Sequence, residues 1–190
     1  MKLVLIRHGK TDANEKRMYC GSTDISLSEK GRKEISGLKS SVAYPDARGF
    51  DVLTSGKKRC EETLFALFGN MPHRADARFS EIDFGAFEMH TYDELKERSD
   101  YIEWITGDNE ANVAPGGESG NIMKARVINA LDELILSGRD TILITHGGVI
   151  AAIMEHLFPD EGKNRYEWQP APGRGYLLVI SGKEKHRAAL

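Results

Sequence analysis

Only two cysteines, six prolines and two tryptophans occur among 190 residues, and neither sign of charge dominates. With Cys20 and Cys60 alone, a disulfide-dense secreted scaffold is excluded; the pair suits a reducing cytoplasm better, although one bridge stays open. A formal net charge of −3 excludes general electrostatic capture of nucleic acid or an anionic membrane. Any basic cluster must therefore be local and aimed at a small anion. No run approaches the ~20 apolar residues that a membrane-spanning helix needs. The short apolar stretch at the amino terminus has no basic leader or small-residue cleavage site and reads as a strand. Paired-cysteine and His-Glu-x-x-His spacings are missing, and His73, His90, His156 and His186 have no partner at metal spacing. There is no low-complexity segment or linker. These absences predict a soluble cytoplasmic protein, one domain over 1–190, large enough to bury roughly 70% of its unfolded surface without a metal or disulfide.

What is present is a repeated pattern. Leu3-Val4-Leu5-Ile6-Arg7-His8-Gly9 and Ile142-Leu143-Ile144-Thr145-His146-Gly147-Gly148 each deliver a histidine and a glycine at the end of an apolar run. Such runs, rich in branched residues, are strands buried on both faces of a parallel sheet. Ligands of open α/β sheets bind beyond the carboxyl ends of the strands. The two histidines are expected to share one crevice there.

Between them, strands alternate with helices. Ser26-Leu27-Ser28-Glu29 introduces a helix near 28–40, capped by Ser28 or Ser26. Phe50–Ser55 is a short strand, and Cys60, Leu64, Leu67 and Phe68 give helical spacing over Lys57–Phe68. A strand is expected near His73–Ala77. The segment 78–118 is irregular, with short helices at 91–98 and 101–106, and is read as a lid-like insertion whose aromatic residues mainly close its own small core. Ser119 suits the cap of a helix over Ile122–Leu136. A strand at 140–145, a helix at 149–157 and a last strand at Tyr176–Ile180 complete an α/β fold, a three-layer α/β/α sandwich with a mostly parallel sheet.

Arg7 and His8 end the first strand, Arg59 starts the helix after the second, and His146 ends a later one. Two guanidinium forks and two imidazoles make a site for a doubly charged tetrahedral oxyanion. An unprotonated imidazole can attack phosphorus if its other nitrogen has an acceptor, which the Gly9 carbonyl or a neighbour can provide. A general acid must protonate the leaving alkoxide and later activate water. Glu81, before the Phe84-Gly85 turn, is the first candidate; Asp83 and Glu88 are alternatives. Asn14 can donate its amide to phosphate or shape an Asx turn.

Arg7-His8-Gly9-Lys10-Thr11 with Asn14, Gly21, Asp24, Leu27 and Gly31 resembles the histidine phosphatase, or phosphoglycerate mutase-like, superfamily. The likeness continues through Thr54-Ser55, Arg59, Glu81, Phe84-Gly85, Pro115-Gly116-Gly117-Glu118-Ser119 and Thr145-His146-Gly147-Gly148. It implies His8 as the phosphorylated nucleophile, Arg7, Arg59 and His146 as the phosphate pocket, Glu81 as proton donor, and no metal or cofactor. Thr11, Asn14, Gly21 and Gly147 are its substrate-binding positions.

Lys10 replaces the usual acidic or glutamine residue, and Met18 stands where classical mutases carry an arginine, with Arg17 one position early. Their longer lid insertion is missing. Met18-Tyr19-Cys20-Gly21 and Phe84-Gly85 through Glu88-Met89 resemble the α-ribazole phosphatase branch. The expected activity is metal-independent hydrolysis of a small phosphorylated metabolite, α-ribazole-5'-phosphate first. A broad sugar-phosphate phosphatase and a phosphoglycerate mutase are the alternatives, and a non-catalytic phosphate sensor is a rival from another class. A homodimer is open on base rate alone.

Overall fold

The computed structural model describes residues 1–108 and 110–190. Its elements are β1 (Lys2–Arg7), α1 (Asp12–Glu15), α2 (Glu29–Ser41), β2 (Asp51–Thr54), α3 (Lys58–Phe68) and β3 (Arg74–Ala75), then α4 (Tyr92–Leu95), α5 (Ser99–Ile105) and α6 (Gly120–Ser137). The chain ends with β4 (Thr141–Thr145), α7 (Gly147–Leu157), α8 (Arg165–Trp168), β5 (Gly175–Ser181) and β6 (Glu184–Ala189). Serine caps start the two longest helices. Ser28 Oγ accepts from Gly31 N at 3.0 Å, and Ser119 Oγ accepts from Ile122 N at 3.2 Å.

One six-stranded sheet runs in the order β3-β2-β4-β1-β5-β6. The first four strands are mutually parallel, while β5 and β6 are antiparallel additions. Period-two alternation sorts the buried residues onto two faces. Leu3, Leu5, Leu53 and Leu143 pack with Val127, Leu131 and Ile150 of α6 and α7. Val4, Ile6, Val52, Ile142 and Ile144 pack with Ile35, Cys60, Leu64 and Leu67 of α2 and α3. The result is three layers with a mixed sheet.

The short helices α1 and α8 and the strand β6 were not foreseen, and other elements differ in extent. The strand expected near His73–Ala77 shrinks to two residues, and the sheet gains β6, whose sequence Glu-Lys-His-Arg-Ala-Ala offers no apolar alternation. β6 is an edge strand, and charge on an edge discourages pairing with other chains while backbone hydrogen bonds to β5 hold it in place. α7 begins two residues earlier than its apolar spacing suggested, directly after His146. A third, small cluster of Phe87, Leu95, Tyr101 and Ala114, with Tyr19, Phe84 and Trp104 against it, lies over the carboxyl end of the sheet. Among the described residues, no helix is long and apolar enough to cross a membrane.

Candidate active site

Register places the two histidines together. β1 and β4 are adjacent and parallel, with Arg7 opposite Thr145, so His8 and His146 leave the sheet side by side. Their ring centroids are 5.1 Å apart, with planes at 66°. β2 flanks β4 with Thr54 opposite Ile144, which brings Ser55 to the same level.

His8 Nδ1 donates to the Gly9 carbonyl at 2.6 Å. A carbonyl only accepts, so this contact keeps the proton on Nδ1 and leaves the lone pair on Nε2. Burial, followed by the nearby Arg59 charge, pushes the His8 pKa down to about 3. His146 is fully buried, and burial with the Arg59 charge drives its pKa well below the usual histidine value. Arg59 Nε donates to His146 Nδ1 at 3.3 Å, so Nε2 carries the hydrogen and donates to Ser55 Oγ at 2.8 Å. Ser55 in turn donates to Cys60 Sγ at 3.3 Å.

Arg59 follows two lysines in sequence, yet it is only 1% exposed and aims inward from the first turn of α3. Its Nη2 donates to Gly21 O at 2.7 Å and its Nη1 to Thr23 O at 2.8 Å. Arg7 Nη1 donates to Pro170 O at 2.9 Å, while Nε is buried without a hydrogen-bond partner among the described residues. A desolvated guanidinium with a spare donor is an anion receptor in waiting. Burial lowers the Arg7 pKa, and the Glu81 charge opposes that shift. Gly147 opens α7 against Arg7; a methyl there would stand 3.1 Å from the Arg7 Cζ.

Glu81 comes from the irregular segment after β3. Its Oε2 accepts from Gly148 N at 2.9 Å and its Oε1 from Ile82 N at 3.1 Å. Gly148 has no side chain because Glu81 Oε1 lies 2.4 Å from where its Cβ would be. The alternative carboxylates are committed elsewhere. Glu88 accepts from the backbone N–H groups of Gly21, Ser22, Thr23 and Phe84 and from Thr23 Oγ1. Asp83 accepts from Ser22 Oγ and Gly85 N.

A cleft of about 270 Å³ gathers Arg7, His8, Asn14, Glu81 and Gly148 with Met18, Tyr19, Phe84 and Trp104. Arg59 and His146 do not line it; both are buried, His146 against the His8 ring and Arg59 against His146. Of the predicted substrate-binding positions, only Asn14 lines the cleft directly. Thr11 is buried as the cap of α1, exchanging hydrogen bonds with Asn14, whose Oδ1 accepts from Thr11 N at 3.0 Å. Gly21 sits a layer behind, its N–H on Glu88 and its carbonyl on Arg59. Sequence reasoning missed Arg165, Tyr166 and Gln169 of α8 and its exit, which also line the cleft. The capping box Asn164–Glu167 was the one local signal for that short helix. Cys20 and Cys60 are both free thiols. A neutral imidazole of fixed tautomer, a spare arginine donor and a carboxylate around one cleft can transfer a phosphoryl group to nitrogen and manage the proton.

The family profile described as Histidine phosphatase superfamily (branch 1) matches residues 3–187. A 2,3-bisphosphoglycerate-dependent phosphoglycerate mutase of Beijerinckia indica is 30% identical over 176 residues, covering 80% of this chain and 78% of that protein. A bifunctional protein of Mycobacterium tuberculosis is 26% identical over 168 residues, or 83% of this chain, and the chain spans 42% of that relative's length. Among solved structures, an alpha-ribazole phosphatase from Shigella flexneri superposes with a TM-score of 0.86 at 22% identity, over 100% of this chain and 96% of that one. That last likeness is one of fold.

Proposed function

Because the chain belongs to the histidine phosphatase superfamily, we propose that it is a metal-independent phosphomonoesterase working through a phosphohistidine at His8. His8 Nε2 attacks phosphorus, the ester P–O bond breaks, and Glu81 gives its proton to the leaving alkoxide. Water then attacks the phosphohistidine, Glu81 takes a proton from it, and inorganic phosphate leaves with His8 restored. Arg7, Arg59 and His146 answer the charge on the transferring oxygens. The arriving dianion raises the proton affinity of His146, which is held neutral without it. The observation that carries the reading is the Gly9-fixed tautomer of His8 beside His146, in one cleft with Glu81.

A small phosphorylated metabolite is the substrate, with α-ribazole-5'-phosphate first; the alpha-ribazole phosphatase fold likeness and the aromatic wall of Tyr19, Phe84 and Trp104 support it. The phosphoglycerate mutase relative favours a second reading, transfer between hydroxyls of one glycerate. Against it, Met18 lines the cleft, and Arg165, a cation that also lines it, is paired with Glu110 at 2.5 Å. A glycerate carboxylate finds a poor receptor there. The free thiols suit a cytoplasmic location.

The test is phosphate release from a panel of esters in the presence of a chelator, with trapping of acid-labile phosphate. Wild type should release phosphate and His8→Ala should do neither. Full turnover by His8→Ala ends the proposal, and label exchange between phosphoglycerates faster than hydrolysis selects the mutase.

A further inference from the structure

Glu81 follows a single 3-10 turn, Ala77–Phe79, on a stretch outside the helices and the sheet, so the carbonyls around it must find donors elsewhere. Four successive carbonyls do so through two side chains. Arg126, in the second turn of α6, donates Nη1 to Arg78 O at 2.7 Å and to Ser80 O at 2.7 Å, and Nη2 to Glu81 O at 3.0 Å. Thr145, the residue before His146, donates Oγ1 to Phe79 O at 2.7 Å. Glu118 closes the arrangement. It pairs with Arg126 Nη2, takes Arg126 Nε at 3.1 Å, and accepts from Asp83 N at 3.1 Å while its own N–H donates to Asp83 O at 2.9 Å.

The clamp acts from the far side. Glu81 lines two hollows, the cleft with His8 and a second one of about 280 Å³ that holds Lys57, Asp83, Glu118 and Arg126. Arg126 and Glu118 line the second and are not among the residues that line the cleft. We propose that Arg126, braced by Glu118, is the positioning residue that holds the Glu81 carboxyl at the leaving oxygen. The planar fork is what the task requires: three carbonyls around one bend can share a single guanidinium, whereas an ammonium is a point charge. A carboxyl displaced by about 1 Å loses its proton-transfer geometry, which costs on the order of 100-fold.

The inference rests on Glu81 being the acid, and the test separates the two. General-acid help matters most for a poor leaving group, so kcat/KM is compared for an alkyl ester, glycerol 2-phosphate, and an aryl ester, p-nitrophenyl phosphate. Glu81→Gln should lose about 100-fold or more on the alkyl ester and far less on the aryl ester. Arg126→Met should show the same selective loss of about 10- to 100-fold, Arg126→Lys a smaller one, and guanidinium ion should restore the alkyl activity of Arg126→Ala. Circular dichroism identifies variants that do not fold, and Glu118→Gln repeats the comparison with the fork intact. If Glu81→Gln is selective and the Arg126 and Glu118 variants slow both esters equally, the clamp is only structural and the inference falls. If Glu81→Gln is itself unselective, the acid assignment falls and takes the clamp with it.

Discussion

Arg59 Nε meets His146 Nδ1 at 3.3 Å, and that buried contact joins the start of α3 to the end of β4. The same guanidinium holds the Gly21 and Thr23 carbonyls, so one buried side chain ties the imidazole to the loop between α1 and α2. Replacing Arg59 by Lys keeps the charge and loses the fork. A fall of about 100-fold or more in kcat/KM is expected, of the order seen when one charge-stabilising donor is lost. Steady-state kinetics decide it, and a variant within a few-fold of wild type rules the fork unimportant.

Stability should depend on pH through His8. Its folded pKa of about 3 lies below the ordinary unfolded value, so the unfolded chain binds the proton more readily. The contribution is fully present above pH ~6.5 and is lost as pH falls towards the folded pKa. Urea midpoints measured between neutral and mildly acidic pH should therefore decline, and His8→Gln should flatten the decline. An equal slope in both proteins would contradict the assignment.

Gly21 is required by packing. A Cβ there would lie 1.6 Å from the Ile82 carbonyl oxygen, a backbone atom that cannot step aside cheaply. Gly21→Ala should lower stability by about 1–3 kcal/mol. Gly37, inside α2 with open space around it, provides the contrast: Gly37→Ala should stabilise by about 0.5–1 kcal/mol. Thermal unfolding of the two variants should shift in opposite directions.

Glu88 should prove a brace and not an acid. One carboxylate gathers four backbone N–H groups from two segments, a role that needs charge at both oxygens. Glu88→Gln is expected to cost about 1–3 kcal/mol in denaturant unfolding, with no preference between alkyl and aryl esters. A selective loss on alkyl esters would make Glu88 the acid in place of Glu81.

Local chemistry was legible in the chain. The apolar runs ending in Arg7-His8 and Thr145-His146 marked β1 and β4, and Ser28 and Ser119 marked helix starts, because strand burial and N-capping use neighbours within a few residues. β6 and α8 were not, because an exposed charged strand is held by the ladder of another strand and a four-residue helix by its caps. Glu88 read only as a spare acid, since its partners at 21–23 lie far away in sequence.

The order of Arg7, His8, Arg59, Glu81 and His146 was thus written in the sequence and determined which chemical groups the protein owns. Only the folded chain decided which of them reach one cleft, which carboxylate is already spent on backbone donors, and that Arg126 grips the loop bearing Glu81. The reason is physical: residue type sets what a group can donate, accept or attack. Strand register and long-range hydrogen bonds set where it stands, and those are properties of pairs that no single stretch of chain contains.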